Sequence, residues 1–127
     1  MGIVFRITSR HNGLAFGTLR WAEKNLSAGA VSGPYGRNEL PLGLYHAQRS
    51  ELLDKKGEEG YCDSLRQCWM QVIRPQFSTA RTDLGIHPDG NKSGTLGCIG
   101  LVDADTAAWY AAFKAMSAAE VLTVEVF

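Results

Sequence analysis

Two residues separated by eleven positions, His87 and Cys98, carry the chemistry this sequence most readily suggests. The run between them is His87-Pro88-Asp89-Gly90-Asn91-Lys92-Ser93-Gly94-Thr95-Leu96-Gly97-Cys98, with glycines at 90, 94 and 97. Such a loop can fold back so that two neighbouring strand ends present imidazole and thiol side by side. A free thiol of pKa about 8.5 is only a few per cent thiolate at neutral pH, so a nucleophilic cysteine needs a neighbour that takes its proton. An imidazole does this, and the resulting ion pair can bring the thiol pKa down by several units. Gly97 lets the backbone approach closely, exposing N–H groups to an oxyanion. Taken by themselves, the same two residues also fit a buried inert cysteine beside a structural histidine.

The remaining reactive side chains carry less. Cys62 and Cys68 lie six apart: they bridge in an oxidising compartment and are ordinary buried thiols in a reducing one. His46, Cys62, Cys68, His87 and Cys98 include zinc-ligand types, yet no C-x2-C or H-x3-H spacing occurs. No metal and no cofactor is therefore expected, and a small zinc-stabilised domain stays only as a third alternative. Ser93 and Thr95 lack the Gly-x-Ser-x-Gly surroundings of a hydroxyl nucleophile. His11, in a turn, is assigned no chemistry.

The elements that must position the pair read as mainly β. Gly2 to Thr8 alternates, with Ile3, Phe5 and Ile7 on one face. Asn12-Gly13 is a hairpin signal, because both residues tolerate positive φ. Leu14 to Trp21 and Ser27 to Val31 follow as strands, then a loop at Ser32 to Gly36, then a strand through Tyr45 to about Ala47. A hairpin-built antiparallel sheet accounts for this half. Gln48 to Gly60 is rich in charge and is a short helix around Ser50 to Lys56, a solvated loop, or a lid over a site. Cys68 to Ile73 reads as a strand that Pro75 ends, and Leu84 to His87 and Cys98 to Val102 as short strands. Asp103 or Asp105 caps a helix through about Met116, with Trp109, Phe113 and Met116 on its core face. Val121 to Phe127 closes the sheet.

The 127 residues make one domain, 1–127. Thirteen basic residues balance thirteen acidic ones, and the longest basic run is Lys55-Lys56, so no footprint for nucleic acid or an anionic membrane is expected. No run approaches the roughly 20 apolar residues of a membrane span. Met1 to Arg6 lacks the basic stretch, apolar core and cleavage site of a secretion signal, so synthesis in the cytoplasm without a signal peptide is expected.

In this setting the chain resembles the L,D-transpeptidase catalytic-domain family, the cysteine enzymes of bacterial peptidoglycan. That family carries a histidine at a strand end, a glycine-containing stretch, then Ser/Thr-His-Gly-Cys and usually Ile-Arg. This sequence reads Ile86-His87, then Thr95-Leu96-Gly97-Cys98-Ile99-Gly100, then Asp105 leading into a helix with Trp109-Tyr110. Upstream, Ser32-Gly33 followed by Leu40-Pro41-Leu42-Gly43-Leu44-Tyr45 is similar to the family's Ser-Gly … Thr-Pro-x-Gly-x-Tyr passage. The resemblance spans most of residues 14 to 127, in the same order.

The resemblance implies an antiparallel β-sandwich or barrel-like catalytic fold with one helix after the catalytic cysteine. It implies Cys98 as the nucleophile on a carbonyl of a peptidoglycan stem peptide, giving a thioester, and His87 as base and then acid. Thr95 would support the loop, and Gly97 with the N–H groups around Cys98 would hold the oxyanion. Tyr45 or Tyr35 would line the groove or serve in packing. Two positions depart: Leu96 stands where the family has His, and Gly100 where it has Arg. Lys92 or Arg81 would supply the missing cation for substrate binding. The departures, with divergent lytic and toxin members in the family, favour hydrolysis over transpeptidation, as in a phage endolysin or a secreted antibacterial effector acting at the cell wall or periplasm. Stem peptides would be the partner, with an immunity protein or delivery partner if the chain is an effector. The other reading is a non-catalytic peptidoglycan-peptide binding module, or a phage structural protein, with a decayed site.

Overall fold

The computed structural model describes residues 2–36, 38–90 and 93–127. Strand β1 (Gly2–His11) turns through Asn12 and Gly13, at φ 51° and 82°, into β2 (Leu14–Trp21), the two-residue hairpin that Asn-Gly favours. β3 (Leu26–Ser32) follows antiparallel to β2. β4 (Gly43–Gln48) does not continue this meander. It sits on the far side of the sheet, between β10 (Val121–Val126) and the two-residue strand β7 (Arg74–Pro75). The expectation that the first half forms its own hairpin sheet is corrected here, because β10 inserts between β1 and β4 and pairs parallel with β1.

The remaining strands are β5 (Leu52–Asp54), β6 (Trp69–Val72), β8 (Gly85–Pro88) and β9 (Ile99–Leu101). Among the described residues the order is β5-β6-β8-β9-β3-β2-β1-β10-β4-β7, a ten-stranded sheet curled into a half-barrel. The fold is mainly β, as expected. The sheet is mixed rather than antiparallel, since β1 pairs β10 and β8 pairs β9 in parallel. Pro75 stands in the edge strand β7, where its missing N–H leaves no inner ladder bond unmade.

The helix α1 (Ala107–Lys114) is the one α-helix among the described residues and follows β9. Its N-cap is Thr106, without a capping bond from its own side chain, in place of the expected Asp103 or Asp105; Asp105, one residue earlier, accepts the Ala107 N–H at 2.9 Å through Oδ1. Trp109 and Phe113 are buried, and Phe113 meets Trp21 at 5.1 Å and Trp69 at 5.6 Å between ring centroids. Met116, just past the helix, is also buried, as the i, i+4, i+7 spacing predicts. The charged stretch after β4 is not a helix over 50–56. A single 3-10 turn (Arg49–Glu51) leads directly into β5, which pairs with β6 at the sheet edge.

Candidate active site

β8 and β9 bring the two reactive residues together. They run parallel, with Ile86 opposite Ile99 and His87 opposite Gly100. Successive side chains on a strand face opposite ways. Ile86, Ile99 and Leu101 are wholly buried on the core face, so His87 and Gly100 share the other, and Cys98 stands in the bend just before β9. Both His87 and Cys98 are buried, and both wall one cavity of about 910 Å³ together with Tyr35, Tyr61, Arg81 and Leu96. A neighbouring cavity of about 830 Å³ shares Tyr61 and the 81–84 segment as its wall and continues past Lys55, Leu53 and Met70.

His87 has a defined tautomer. Its Nδ1 lies 2.6 Å from the Pro88 carbonyl, which can only accept, so Nδ1 carries the hydrogen and Nε2 carries the lone pair. Burial lowers its pKa to about 4, and the Lys55 cation pushes the same way against the Pro88 hydrogen bond. The ring rests neutral and ready to accept a proton.

Cys98 is the one free cysteine among the described residues. Its Sγ donates to the Asp83 carbonyl at 3.5 Å, and burial raises its pKa to about 11. A backbone hydrogen bond from Gly85 and the cations of Arg81 and Lys55 oppose that rise and do not overcome it. This corrects the expected ion pair. The thiol rests protonated because it is desolvated and its proton is already held by a backbone carbonyl.

The loop that delivers Cys98 is organised by Thr95. Its buried Oγ1 donates to the Cys98 carbonyl at 2.6 Å and accepts the N–H groups of Gly33 and Gly97, each at 3.1 Å. One donor and two acceptor sites are thereby used in full. The expected loop-supporting role of Thr95 matches this geometry. The Gly97 N–H is engaged by Thr95, so it is not an oxyanion donor in this arrangement. What requires glycine at 97 is a φ of +125° and the Arg81 guanidinium, which a Cβ would overlap.

That contact sets Arg81 at the cavity beside Cys98, its Nη1 donating to the Glu39 carbonyl at 3.1 Å. Gly100 has its own constraint, since a Cβ there would come within 2.9 Å of the Thr95 methyl. Tyr45, expected at the groove, is instead in the core. It is fully buried, its hydroxyl donates to the Pro41 carbonyl at 2.6 Å, and its ring meets Phe77 edge-on at 5.3 Å. Burial raises its pKa. Tyr35 lines the cavity in its place. Lys92 lies outside the described residues.

Sequence reasoning missed three participants. Tyr61 packs on His87 at 4.7 Å between ring centroids. Asp83 contributes the carbonyl that holds the thiol proton, a backbone role with no side-chain signature. Asp89 folds the loop on itself by accepting the Gly94 N–H at 3.2 Å, and burial raises its pKa to about 6. Asp89, two residues after His87 and among glycines, carried the residue-type signal of a loop-closing turn. No cluster of three or more His, Cys, Asp or Glu suited to a metal ion stands among the described residues, and none of their helices is long and apolar enough to cross a membrane.

Comparison of the chain with protein-family models, with curated proteins and with solved structures finds no match.

Proposed function

We propose that the chain is a cysteine-dependent peptidoglycan enzyme that hydrolyses stem peptides on an L,D-transpeptidase-like fold. The observation that carries this reading is that His87, on β8, and Cys98, in the bend that leads into its parallel neighbour β9, wall one cavity. In the proposed reaction the stem-peptide carbonyl enters beside Cys98. Nε2 of His87 takes the thiol proton as sulfur attacks, and the tetrahedral intermediate collapses to a thioester as the same proton passes to the leaving amine. Water, deprotonated by His87, then releases the acyl group and restores the thiol. Arg81 supplies a cation beside the reacting centre for a substrate carboxylate or the oxyanion, in place of the arginine replaced by Gly100. Exposed Leu96 and Tyr35 offer apolar surface to the peptide.

The high pKa of Cys98 and its hydrogen bond to Asp83 favour a second reading, a peptidoglycan-peptide binding module with a decayed site. One experiment separates them: mass spectrometry of sacculi treated with wild type and with Cys98→Ala. The enzyme reading expects new muropeptide fragments from wild type alone, and their masses name the bond cut. Sacculi left intact by the wild type, with both proteins bound to them, select the module.

A further inference from the structure

The segment between Lys55 and Cys68 is built onto the reactive pair. Its 3-10 turn (Glu59–Tyr61) lays the Tyr61 ring against the His87 imidazole, 4.7 Å between centroids and tilted by 59°. The Lys55 ammonium covers the Tyr61 ring at 4.7 Å. The turn also bears on the loop leading to Cys98: a Cβ on Gly90 would overlap the Glu59 carbonyl and Gly60. One short turn therefore touches both the base and the loop that delivers the nucleophile.

A three-residue turn has almost no stability of its own, because its few hydrogen bonds do not offset the entropy of ordering it. Three tethers hold this one. The Lys55 N–H donates to the Cys68 carbonyl at 3.1 Å. Arg66 grips the Glu59 carboxylate with two bonds of 2.6 and 2.7 Å, but both side chains are more than half exposed, where ion pairs contribute little. The third tether is covalent. Tyr61 is followed at once by Cys62, which is disulfide-bonded to Cys68. Beyond the bridge, Asp63 anchors the loop to the start of α1 by accepting from the Thr106 N–H and hydroxyl, each at 2.8 Å. The bridge thus joins the turn carrying Tyr61 to the residue preceding β6.

We propose that Tyr61 is the positioning residue of His87 and that the Cys62–Cys68 disulfide seats it, so that the site is fully assembled only in the oxidised chain. The inference rests on the proposed function for its kinetic readout alone, because the seating of the ring can be followed without any activity. Reduction would take two electrons and two protons from a dithiol, leaving thiols at 62 and 68 and the reductant as its cyclic disulfide. The turn would then lose its covalent anchor and admit water to the imidazole. A chain made in a reducing compartment would be idle there and competent where disulfides persist.

The test compares oxidised wild type with Cys62→Ser/Cys68→Ser, Tyr61→Ala and Tyr61→Phe, reading the His87 ring titration by NMR and kcat and KM on a stem tetrapeptide. In wild type the buried imidazole is expected to titrate near 4. In the double variant and in Tyr61→Ala it is expected to rise by about one unit or more towards 6.5, with kcat down about tenfold or more and KM changed less. Tyr61→Phe, which keeps the ring, is expected to restore both. An unshifted His87 titration in Tyr61→Ala overturns the positioning role, and an unshifted one in the folded double variant overturns the part given to the disulfide. Should the double variant fail to fold, wild type incubated with dithiothreitol until Cys62 and Cys68 become alkylable replaces it, with the same two outcomes. Should wild type show no turnover, the proposed function falls and the His87 titration alone decides the seating.

Discussion

The Thr95 hydroxyl donates to the Cys98 carbonyl at 2.6 Å, and the same oxygen accepts two backbone N–H groups. One buried atom thereby ties the loop before the nucleophile to Gly33 at the end of β3. Thr95→Val keeps the shape and removes these bonds, leaving two buried N–H groups and a carbonyl unmatched. Each costs about 1–3 kcal/mol, so a loss of about 3 kcal/mol or more by urea denaturation is expected, with turnover lost as well. Thr95→Ser keeps the oxygen and is expected to lose less than about 1.5 kcal/mol. Equal losses in the two variants would show that the hydroxyl is not the organising group.

Asp63 makes stability depend on acid. Burial works against its carboxylate, but hydrogen bonds from Gln67 and Thr106 outweigh that and hold its pKa below the ordinary value. A folded pKa below the unfolded one gives stability that is complete above about pH 4 and lost as pH falls through the lower folded value. Thermal unfolding from pH 6 down to pH 2 is expected to show this loss in wild type and a smaller one in Asp63→Asn. The variant should already be destabilised by about 1–3 kcal/mol at neutral pH, where its amide cannot accept all the bonds that the carboxylate does.

Glycines 97 and 100 are held by different neighbours. Gly97→Ala must place a Cβ into the Arg81 guanidinium at a φ of +125°, so it is expected to destabilise the fold by more than about 1 kcal/mol and to displace Arg81. Gly100→Arg, which places an arginine where the L,D-transpeptidases that the sequence resembles carry one, pushes on the Thr95 methyl and is expected to lower activity instead of raising it. Kinetics on a stem tetrapeptide beside Arg81→Gln check both. Raised activity in Gly100→Arg would mean that Arg81 does not supply the missing cation.

The rest states of the pair fix a pH profile. His87 must be neutral to accept a proton, so activity is expected to fall as pH drops through about 4 and to stay level through neutrality towards the thiol value near 11. The fold follows the same group. Unfolded His87 binds its proton near 6.5 and the folded ring near 4, so the His87 contribution to stability should fall as pH drops from about 6.5 to about 4, against an opposite contribution from Asp89, whose folded value is raised to about 6. His87→Gln should flatten that limb of the stability curve. An acid limb of activity near 6.5 would show an imidazole more solvated than the cavity provides.

Local chemistry was legible in the sequence and long-range pairing was not. Asn12-Gly13 specified its hairpin because positive φ at both positions is a property of those two residues. Trp109, Phe113 and Met116 declared a helix face by spacing alone. The insertion of β10 between β1 and β4 has no local signature, since a strand's partner is chosen by the burial of faces far apart in the chain. Of the residues that the sequence singled out, His87, Cys98 and Arg81 line one cavity. Tyr61 was not singled out, because the stretch before it reads as solvated charge and only the fold turns its end onto the imidazole. Tyr45 was a groove candidate only through the family resemblance, with packing as the other reading, and its position on β4 puts it in the core. The direction of the Cys98 shift was also hidden, as it depends on burial and on the Asp83 carbonyl.

The proposed reaction passes through sulfur 98 acylated by a stem peptide. Intact-protein mass spectrometry of acid-quenched turnover on a synthetic stem tetrapeptide measures this directly. The account predicts a mass gain equal to the peptide's acyl portion, mapped to the fragment containing Cys98 and absent from Cys98→Ala. Turnover of the same peptide by Cys98→Ala at the wild-type rate, or no gain and no product from the wild type, would contradict it.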